Sequence, residues 1–183
     1  MFPMIDTPRL CLRLLRPDDA PAMVRIAQKP AVAASVAVIP TPYTLDDALA
    51  WIQLAQSEAL QQRSRVFGVV LASDSQCFIG NAGIHRASPT HPQAEVGYWL
   101  DEAYWGQGLA TELLHALCNT AFTEMGISEL TATVAVSNIA SQRVLSKAGF
   151  QQGDICLVQT RTHEQRPSYR YYLSIPTENI PHD

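Results

Sequence analysis

A glycine-rich turn before an amphipathic segment is the part of this sequence best suited to hold a ligand. It reads Tyr-Trp-Gly-Gln-Gly-Leu-Ala-Thr over residues 104–111, with glycines at positions 106 and 108. Two glycines so placed free backbone N–H groups and let a ligand approach closely. The helix predicted to follow adds unpaired N–H groups and the positive end of its dipole. The turn therefore predicts a pyrophosphate-binding site.

The residues that flank the two glycines distinguish this turn from other glycine-rich motifs. An isolated Gly-x-Gly usually marks only a tight turn. A Walker loop is excluded because no Gly-Lys-Ser/Thr follows, and the G-x-G-x-x-G fingerprint is excluded because Thr111 occupies the third glycine position. A domain that binds NAD or ATP through this turn is disfavoured, because no matching ribose-binding acid or phosphate-binding lysine lies in the expected context.

The apolar pattern around the turn predicts a mixed α/β domain. Strands are expected near residues 9–16, 65–72, 77–86, 94–100, 129–136, 150–160 and 168–174. Helices are expected near residues 17–29, 44–63, 110–125 and 138–149, and the proline-containing stretch 30–43 fits either a loop or a short helix. A hairpin turn is expected at residues 73–75. Without a repeat or a composition break, the chain is predicted to be one domain over residues 1–183.

Composition excludes several classes of protein. The chain has 183 residues, of which 47% are hydrophobic and 16% charged, as in ordinary globular domains. The formal net charge of −4 argues against a nucleic-acid partner. No secretory signal or 18-residue apolar stretch is evident, so we expect no membrane association and a cytoplasmic location. The four cysteines are expected to be reduced, and the five histidines show no ligand spacing, so no metal is predicted.

Several ordered segments, spread over nearly the whole chain, resemble a known family. They are Thr7-Pro8-Arg9-Leu10, Leu15-Arg16-Pro17-Asp18-Asp19-Ala20, Ile79-Gly80-Asn81-Ala82-Gly83-Ile84, Glu95-Val96-Gly97-Tyr98-Trp99-Leu100, Trp105-Gly106-Gln107-Gly108-Leu109-Ala110-Thr111-Glu112, and a spaced set of Asn138, Ser141, Val144, Lys147, Gly149 and Phe150. Together they resemble the GCN5-related N-acetyltransferase (GNAT) family, in its RimJ/RimL-like branch of ribosomal-protein N-acetyltransferases. The family's loop usually opens with Gln or Arg where this chain has Trp105, a change that resembles this branch and leaves the backbone cradle intact.

The resemblance implies one GNAT-type α/β domain that binds acetyl-CoA. Its central twisted sheet would be largely antiparallel, flanked by about four helices, with a V between the fourth and fifth predicted strands, 94–100 and 129–136. The pantetheine arm would pair with the exposed backbone of the first of these strands. The candidate residues for acetyl-CoA are Tyr98, Trp99, Leu100, Gly106, Gln107, Gly108, Leu109, Ala110, Thr111, Asn138, Arg143 and Lys147, the pair Arg143 and Lys147 because of their spacing.

Two of these assignments have structural alternatives. Asn138 is also a good helix N-cap, and both of its roles can hold together. Arg143 and Lys147 lie four residues apart, so a helix would place them side by side. A coenzyme phosphate could join them, but a solvated helix face is the other explanation.

The reaction needs a neutral amine, because an α-amine has a pKa near 8 and a lysine near 10.4. Glu95 is the candidate base, with a solvated surface glutamate as the alternative. It shares a strand face with Gly97, which leaves space beside it. Many family members protonate the leaving thiolate with a tyrosine where this chain has Leu145. Ser141 or water is therefore the candidate acid, and Ser141 could also be an ordinary residue of the first helical turn.

The sequence supports an N-acetyltransferase that acts by direct attack of a primary amine, and the resemblance favours a protein N-terminus. A small-molecule amine remains an alternative, as does a domain that binds acetyl-CoA without turnover. A homodimer is common in this branch. The acceptor is expected among the first two helices and the loop near residue 90, where candidate lining residues are Tyr43, Trp51, His85, Arg86 and His91.

Overall fold

The computed structural model describes residues 4–37, 39–161 and 163–175, which form a single eight-stranded sheet. The strands lie in the order β1-β2-β3-β4-β5-β6-β8-β7. Every neighbouring pair is antiparallel except β5 and β6. Their bounds are β1 Ile5–Asp6, β2 Leu10–Leu14, β3 Ser64–Leu71, β4 Asp74–His85, β5 Gln93–Leu100, β6 Glu129–Ala135, β7 Gln151–Gln159 and β8 Gln165–Ser174. This arrangement confirms the predicted α/β fold with a largely antiparallel sheet.

Five α-helices lie within the described residues. They are α1 Ala20–Ala27, α2 Pro30–Ser35, α3 Leu45–Leu60, α4 Leu109–Glu124 and α5 Ile139–Lys147. Two of their starts follow from local sequence: the Thr44 side chain accepts from the N–H of Asp47, and the Asn138 side chain accepts from the N–H of Ser141. None of the helices in the described ranges has the length and apolar character needed to cross a bilayer.

The sheet opens between its two parallel strands. Strands β5 and β6 pair only from Gln93 opposite Glu129 to Glu95 opposite Thr131. Beyond that point β5 continues beside β4 as far as Leu100, while β6 continues beside β8. A gap therefore widens between the second half of β5 and the second half of β6, as the V implied by the family resemblance requires.

Two hydrophobic clusters lie on opposite faces of the sheet. One contains Leu113 of α4 and Leu145 of α5, and the other contains Met23 of α1 and Ile52 of α3. Because side chains alternate along a strand, β5 contributes to both faces. Val96, Tyr98 and Leu100 join the α4–α5 cluster, whereas Trp99 joins the α1–α3 cluster. Glu95 and Gly97 share the face of Trp99.

The predicted elements differ from the structure at a few places. The ambiguous stretch 30–43 contains helix α2, whose first residue is a proline that the N1 position tolerates. The hairpin turn lies at residues 72 and 73, because Asp74 already pairs with Leu71. The first predicted helix is divided into a 3-10 turn, Pro17–Asp19, and α1.

Candidate active site

Strand β5 presents unpaired backbone groups to the gap. The indole N–H of Trp105 donates to the carbonyl of Leu100 over 2.9 Å, whereas the N–H of Asp101 donates to Ile79 of β4. The carbonyl of Leu100 thus faces away from β4. Because backbone groups alternate between the two edges of a strand, the C=O of Val96 and both the N–H and C=O of Tyr98 also face the gap, whereas the N–H of Val96 belongs to the last rung of the ladder with Thr131 of β6. These are the groups that a ligand lying along β5 would meet.

The glycine-rich turn supplies a run of free donors beside this gap. Gly106 and Gly108 have φ angles of 74° and 78°, a left-handed conformation that glycine adopts without strain. Among the described residues, no partner accepts a hydrogen bond from the N–H groups of residues 106–111. The last three of these groups belong to the first turn of α4, where the helix dipole favours an anion. The turn is therefore a site for phosphate oxygens.

Arg9 fixes the orientation of the turn. Its guanidinium donates to the carbonyl of Gln107 over 2.8 Å and pairs with Glu112 of α4 at 2.6 Å. Because a trans peptide points its C=O and N–H in opposite directions, this contact turns the N–H of Gly108 away from Arg9. Thr7 also donates to Glu112 over 2.7 Å. Burial alone would raise the pKa of Glu112, but the hydrogen bonds from Thr7 and Arg9 outweigh it and the pKa is lowered.

Tyr98 and Ser141 face each other on the α4–α5 side of the sheet. Their hydroxyl oxygens are 3.1 Å apart, and the N–H of Ser141 donates to the side chain of Asn138 over 3.1 Å. Burial raises the pKa of Tyr98, and its hydrogen bond to Ser141 opposes the shift only partly. The phenol is therefore protonated at neutral pH and can donate a hydrogen bond or a proton.

Glu95 lies on the opposite face, at the edge of an open cleft of about 440 Å³. The cleft is lined by Gln93, Glu95, Glu129, Thr131, Thr133, Arg170 and Tyr172. A Cβ built on Gly97 would have no neighbour within 4 Å, so the space beside Glu95 is open. The two predicted catalytic side chains thus lie on different faces of the sheet, and the gap connects them.

Of the other predicted site residues, some have side chains that contact the rest of the protein and two do not. Gln107 donates from its side chain to the carbonyl of Ala103 over 3.1 Å, and the ring of Trp99 packs edge-on against Phe78. Arg143 and Lys147 are exposed on α5, and neither makes an ion pair or hydrogen bond with the rest of the described chain. They are not drawn into the gap by any contact, in keeping with a solvated helix face.

Of the candidate acceptor residues, the structure brings Trp51 and His85 together. Their ring centroids are 6.1 Å apart. Arg86 instead donates to the carbonyls of Gln62 and Met125, and His91 bonds to Gln93 in its own loop. Tyr43 is buried among the helices of the α1–α3 cluster.

The sequence-based predictions did not include the anchoring of the turn by Arg9 and Glu112 or the pairing of Tyr98 with Ser141. Both contacts join residues far apart in the chain, by 103 and 43 positions. Within the described part of the chain, no cluster of three or more His, Cys, Asp or Glu side chains is arranged to hold a metal ion.

The sequence matches the family model for the acetyltransferase (GNAT) domain over residues 9–151. The chain belongs to the GNAT acetyltransferase family. Among its relatives, the uncharacterized N-acetyltransferase YoaA of Bacillus subtilis is 30% identical over 152 residues, which cover 83% of this chain and 85% of YoaA. The protein is accordingly an N-acetyltransferase.

Further relatives of this GNAT domain support the RimJ/RimL-like branch. The ribosomal-protein-serine acetyltransferase of Escherichia coli is 29% identical over 117 residues, which cover 58% of this chain and 65% of the relative. A solved structure of RimL, a ribosomal L7/L12 alpha-N-protein acetyltransferase in complex with coenzyme A, superposes with a TM-score of 0.82 at 19% identity. That match covers 94% of this chain and 98% of RimL, and it shows a shared fold.

Proposed function

We propose that this N-acetyltransferase transfers the acetyl group of acetyl-CoA by direct attack of a primary amine, and that the amine is a protein N-terminus. The run of free N–H groups over residues 106–111, at the mouth of the gap, carries the proposal. Such a run suits a pyrophosphate. The gap-facing backbone of Val96 and Tyr98 suits the amides of a pantetheine arm that adds to β5 like a strand.

Residues on one face of the sheet would act on the attacking amine, and residues on the other face would act on the leaving thiolate. On the α1–α3 face, Glu95 would accept a proton from the ammonium and leave a lone pair on nitrogen. That lone pair attacks the thioester carbonyl and a C–N bond forms. The nitrogen gives up its second proton to solvent as the C–S bond breaks, which leaves a neutral amide. On the α4–α5 face, the hydroxyls of Ser141 and Tyr98 would give a proton to the departing thiolate and recover one from solvent.

We also propose an acceptor class, a domain organisation, a cellular location and an oligomeric state for the enzyme. The acceptor named for the E. coli relative is a ribosomal-protein serine, which favours a protein N-terminus over a small-molecule amine. We further propose a single acetyltransferase domain over residues 1–183, a cytoplasmic location and a homodimer. Sedimentation equilibrium of the purified chain tests the last of these.

Thermal unfolding with acetyl-CoA, and with NAD and ATP as controls, tests the donor. At 100 times its dissociation constant a ligand stabilises the folded state by about 2.7 kcal/mol. For a domain of this size that is a rise in Tm of roughly 5 to 10 °C. A rise with acetyl-CoA alone supports the proposal. No rise with acetyl-CoA, beside a rise with NAD or ATP, contradicts it.

Thiol release with a peptide that begins with serine tests the acceptor. The proposal expects acetylation at the peptide α-amine by mass spectrometry, and none on an otherwise identical peptide with a blocked N-terminus. Glu95→Gln should lose most turnover while keeping the acetyl-CoA shift in Tm. Glu124→Gln, which removes a carboxylate that pairs with Arg65 elsewhere, is the matched control. Turnover with spermidine but not with the peptide would instead favour a small-molecule acceptor.

A further inference from the structure

A chain of three polar side chains ends beside the open space above Gly97. The hydroxyl of Ser64 donates to Glu58 of α3 over 2.6 Å, and the same oxygen lies 3.0 Å from Nδ1 of His85. Ser64 is 2% exposed. His85 is the direct partner of Glu95 across strands β4 and β5. The acceptor face therefore carries a histidine next to the predicted base.

This chain of contacts fixes the tautomer of His85. A serine hydroxyl has one proton, and here it is given to the carboxylate of Glu58, which has none to return. The oxygen of Ser64 must then accept from His85, so Nδ1 carries the proton. In a neutral imidazole the other nitrogen, Nε2, is left with a free lone pair.

The free nitrogen lies over Gly83 of β4. A Cβ built on Gly83 would lie 2.5 Å from Nε2, so the ring occupies space that only glycine leaves open. Gly83 is paired directly with Gly97 of β5. A Cβ built on Gly97 would have no neighbour within 4 Å, so the space above Gly97 is empty. Among the described residues Nε2 has no hydrogen-bond partner, and it is not among the side-chain atoms sealed from solvent.

The surroundings keep the ring neutral. Burial lowers the pKa of His85, and the charges of Glu58 and Glu95 oppose that shift without reversing it. Glu58, with Arg63 4.0 Å from it, acts from the α3 side, and Glu95 acts from β5. The ring of Trp51 packs on the same imidazole from α3. At neutral pH the ring is thus a proton acceptor.

We propose that His85 is a second catalytic residue of the acetyl transfer; this rests on the proposed function and changes one step of it. Nε2 of His85, rather than Glu95, takes the proton of the acceptor ammonium, and Glu95 holds the ammonium by its charge. An N–H bond of the ammonium breaks, its electron pair stays on nitrogen, and an imidazolium forms. Its Nδ1–H remains bonded to Ser64, and Glu58 and Glu95 stabilise the positive charge. After transfer, Nε2 returns the proton to solvent. An imidazole suits the task because its ordinary pKa lies closer to neutral pH than that of a carboxyl group.

Replacing the imidazole tests the role directly. With acetyl-CoA and the serine-starting peptide, His85→Gln should lower kcat on the order of 100-fold at neutral pH. The acetyl-CoA shift in Tm should be unchanged. The defect should shrink as the pH approaches about 9, because the α-amine then loses its proton unaided. His115→Gln, which removes an exposed histidine of α4, is the control and should match the wild type at every pH.

Ser64→Ala separates positioning from a merely structural effect. It removes the acceptor of Nδ1–H but keeps the imidazole, so it should lower kcat less than His85→Gln and should also leave acetyl-CoA binding intact. A wild-type kcat and pH profile in His85→Gln would overturn the role of His85 and leave the proposed function standing. A wild-type enzyme that shows no acetyl-CoA shift would instead refute the proposed function.

The tautomer provides a test that needs no turnover and no substitution. In a ¹⁵N–¹H correlation spectrum of the wild-type protein near neutral pH, His85 should show a protonated Nδ1 and an unprotonated Nε2. An Nε2–H tautomer or an imidazolium would overturn the proposal, whatever the activity with the peptide.

Discussion

The phenol oxygen of Tyr98 lies 3.1 Å from the hydroxyl oxygen of Ser141, which joins the gap-lining strand β5 to the first turn of α5. Leu145, where many GNAT enzymes have a tyrosine, is fully buried in the core. A tyrosine is nonetheless present on this face, because β5 supplies it from the other side of the gap. Under the proposed function, two hydroxyls rather than Ser141 alone would serve the leaving group.

Tyr98→Phe should lower kcat roughly tenfold, a change of about 1.4 kcal/mol in the activation barrier. Ser141→Ala should cost a similar amount. The double variant should be little worse than either single one, because the two hydroxyls act as a unit. Thiol release at saturating acetyl-CoA measures all three. Tyr171→Phe, which removes a hydroxyl bonded to Gln152, is the control, and additive losses would show that the two hydroxyls act separately.

Arg9→Met should raise the Kd for acetyl-CoA roughly tenfold, or about 1.4 kcal/mol. The turn would lose the contact that holds the carbonyl of Gln107 and directs the N–H of Gly108. The guanidinium is half exposed, so the free energy of unfolding should fall by less than about 1 kcal/mol. Isothermal titration calorimetry measures the first effect and urea unfolding the second.

A matched variant for this change is Arg65→Met, which breaks an ion pair of the same 2.6 Å length with Glu124. It lies away from the turn and should leave the Kd unchanged. Equal affinities in the Arg9 and Arg65 variants would mean that the turn holds its orientation without Arg9.

Gly106→Ala and Gly126→Ala form a second matched pair. Both glycines have positive φ, 74° and 64°, and a Cβ at either would meet no atom within 4 Å. Each substitution should therefore cost about 1 to 2 kcal/mol of backbone strain. Only Gly106→Ala should also weaken acetyl-CoA binding, because its methyl group would enter the phosphate site. The acetyl-CoA shift in Tm of each variant, against its own baseline, decides this.

The free energy of unfolding should depend on pH through His85. In the folded protein, burial lowers the pKa of His85 below its ordinary value of 6.5. The unfolded chain therefore binds a proton more readily. Its contribution to stability is thus fully present above about pH 6.5 and is lost as the pH falls through the lower folded pKa.

Urea unfolding between about pH 5.5 and about pH 7.5 measures this dependence. His85→Gln should flatten the rise of the unfolding free energy with pH, and His115→Gln should not. A profile for His85→Gln as steep as that of the wild type would show that the imidazole titrates alike in both states.

Much of the fold could be predicted from the sequence because its signals are local. The helical spacing of α4 and the alternation of β6 each lie within one short segment, and so do the caps at Thr44 and Asn138. Strand β1 was missed because two residues carry no periodicity; it exists only through pairing with β2. Helix α2 was ambiguous because an Ala/Val run beginning at a proline suits several conformations.

In the candidate site, too, only the features with a local sequence pattern could be predicted. The glycine turn has a local pattern, and its placement at the gap followed from the family resemblance. The contacts of Arg9 with Glu112 and of Ser64 with His85 have no such pattern, because only the tertiary fold brings their segments together. Spacing within a chain reveals partners three or four residues apart on a helix, but not partners on different strands.

The divergence of β5 and β6 also has a consequence for hydrogen exchange. An open sheet has two outer edges, and this one has a further edge within it, at Tyr98 and Leu100. Their amides lie in the middle of the sheet, yet no neighbouring strand on that side protects them. They should exchange with solvent as quickly as amides on an exposed edge strand and slow down only when an extended ligand fills the gap.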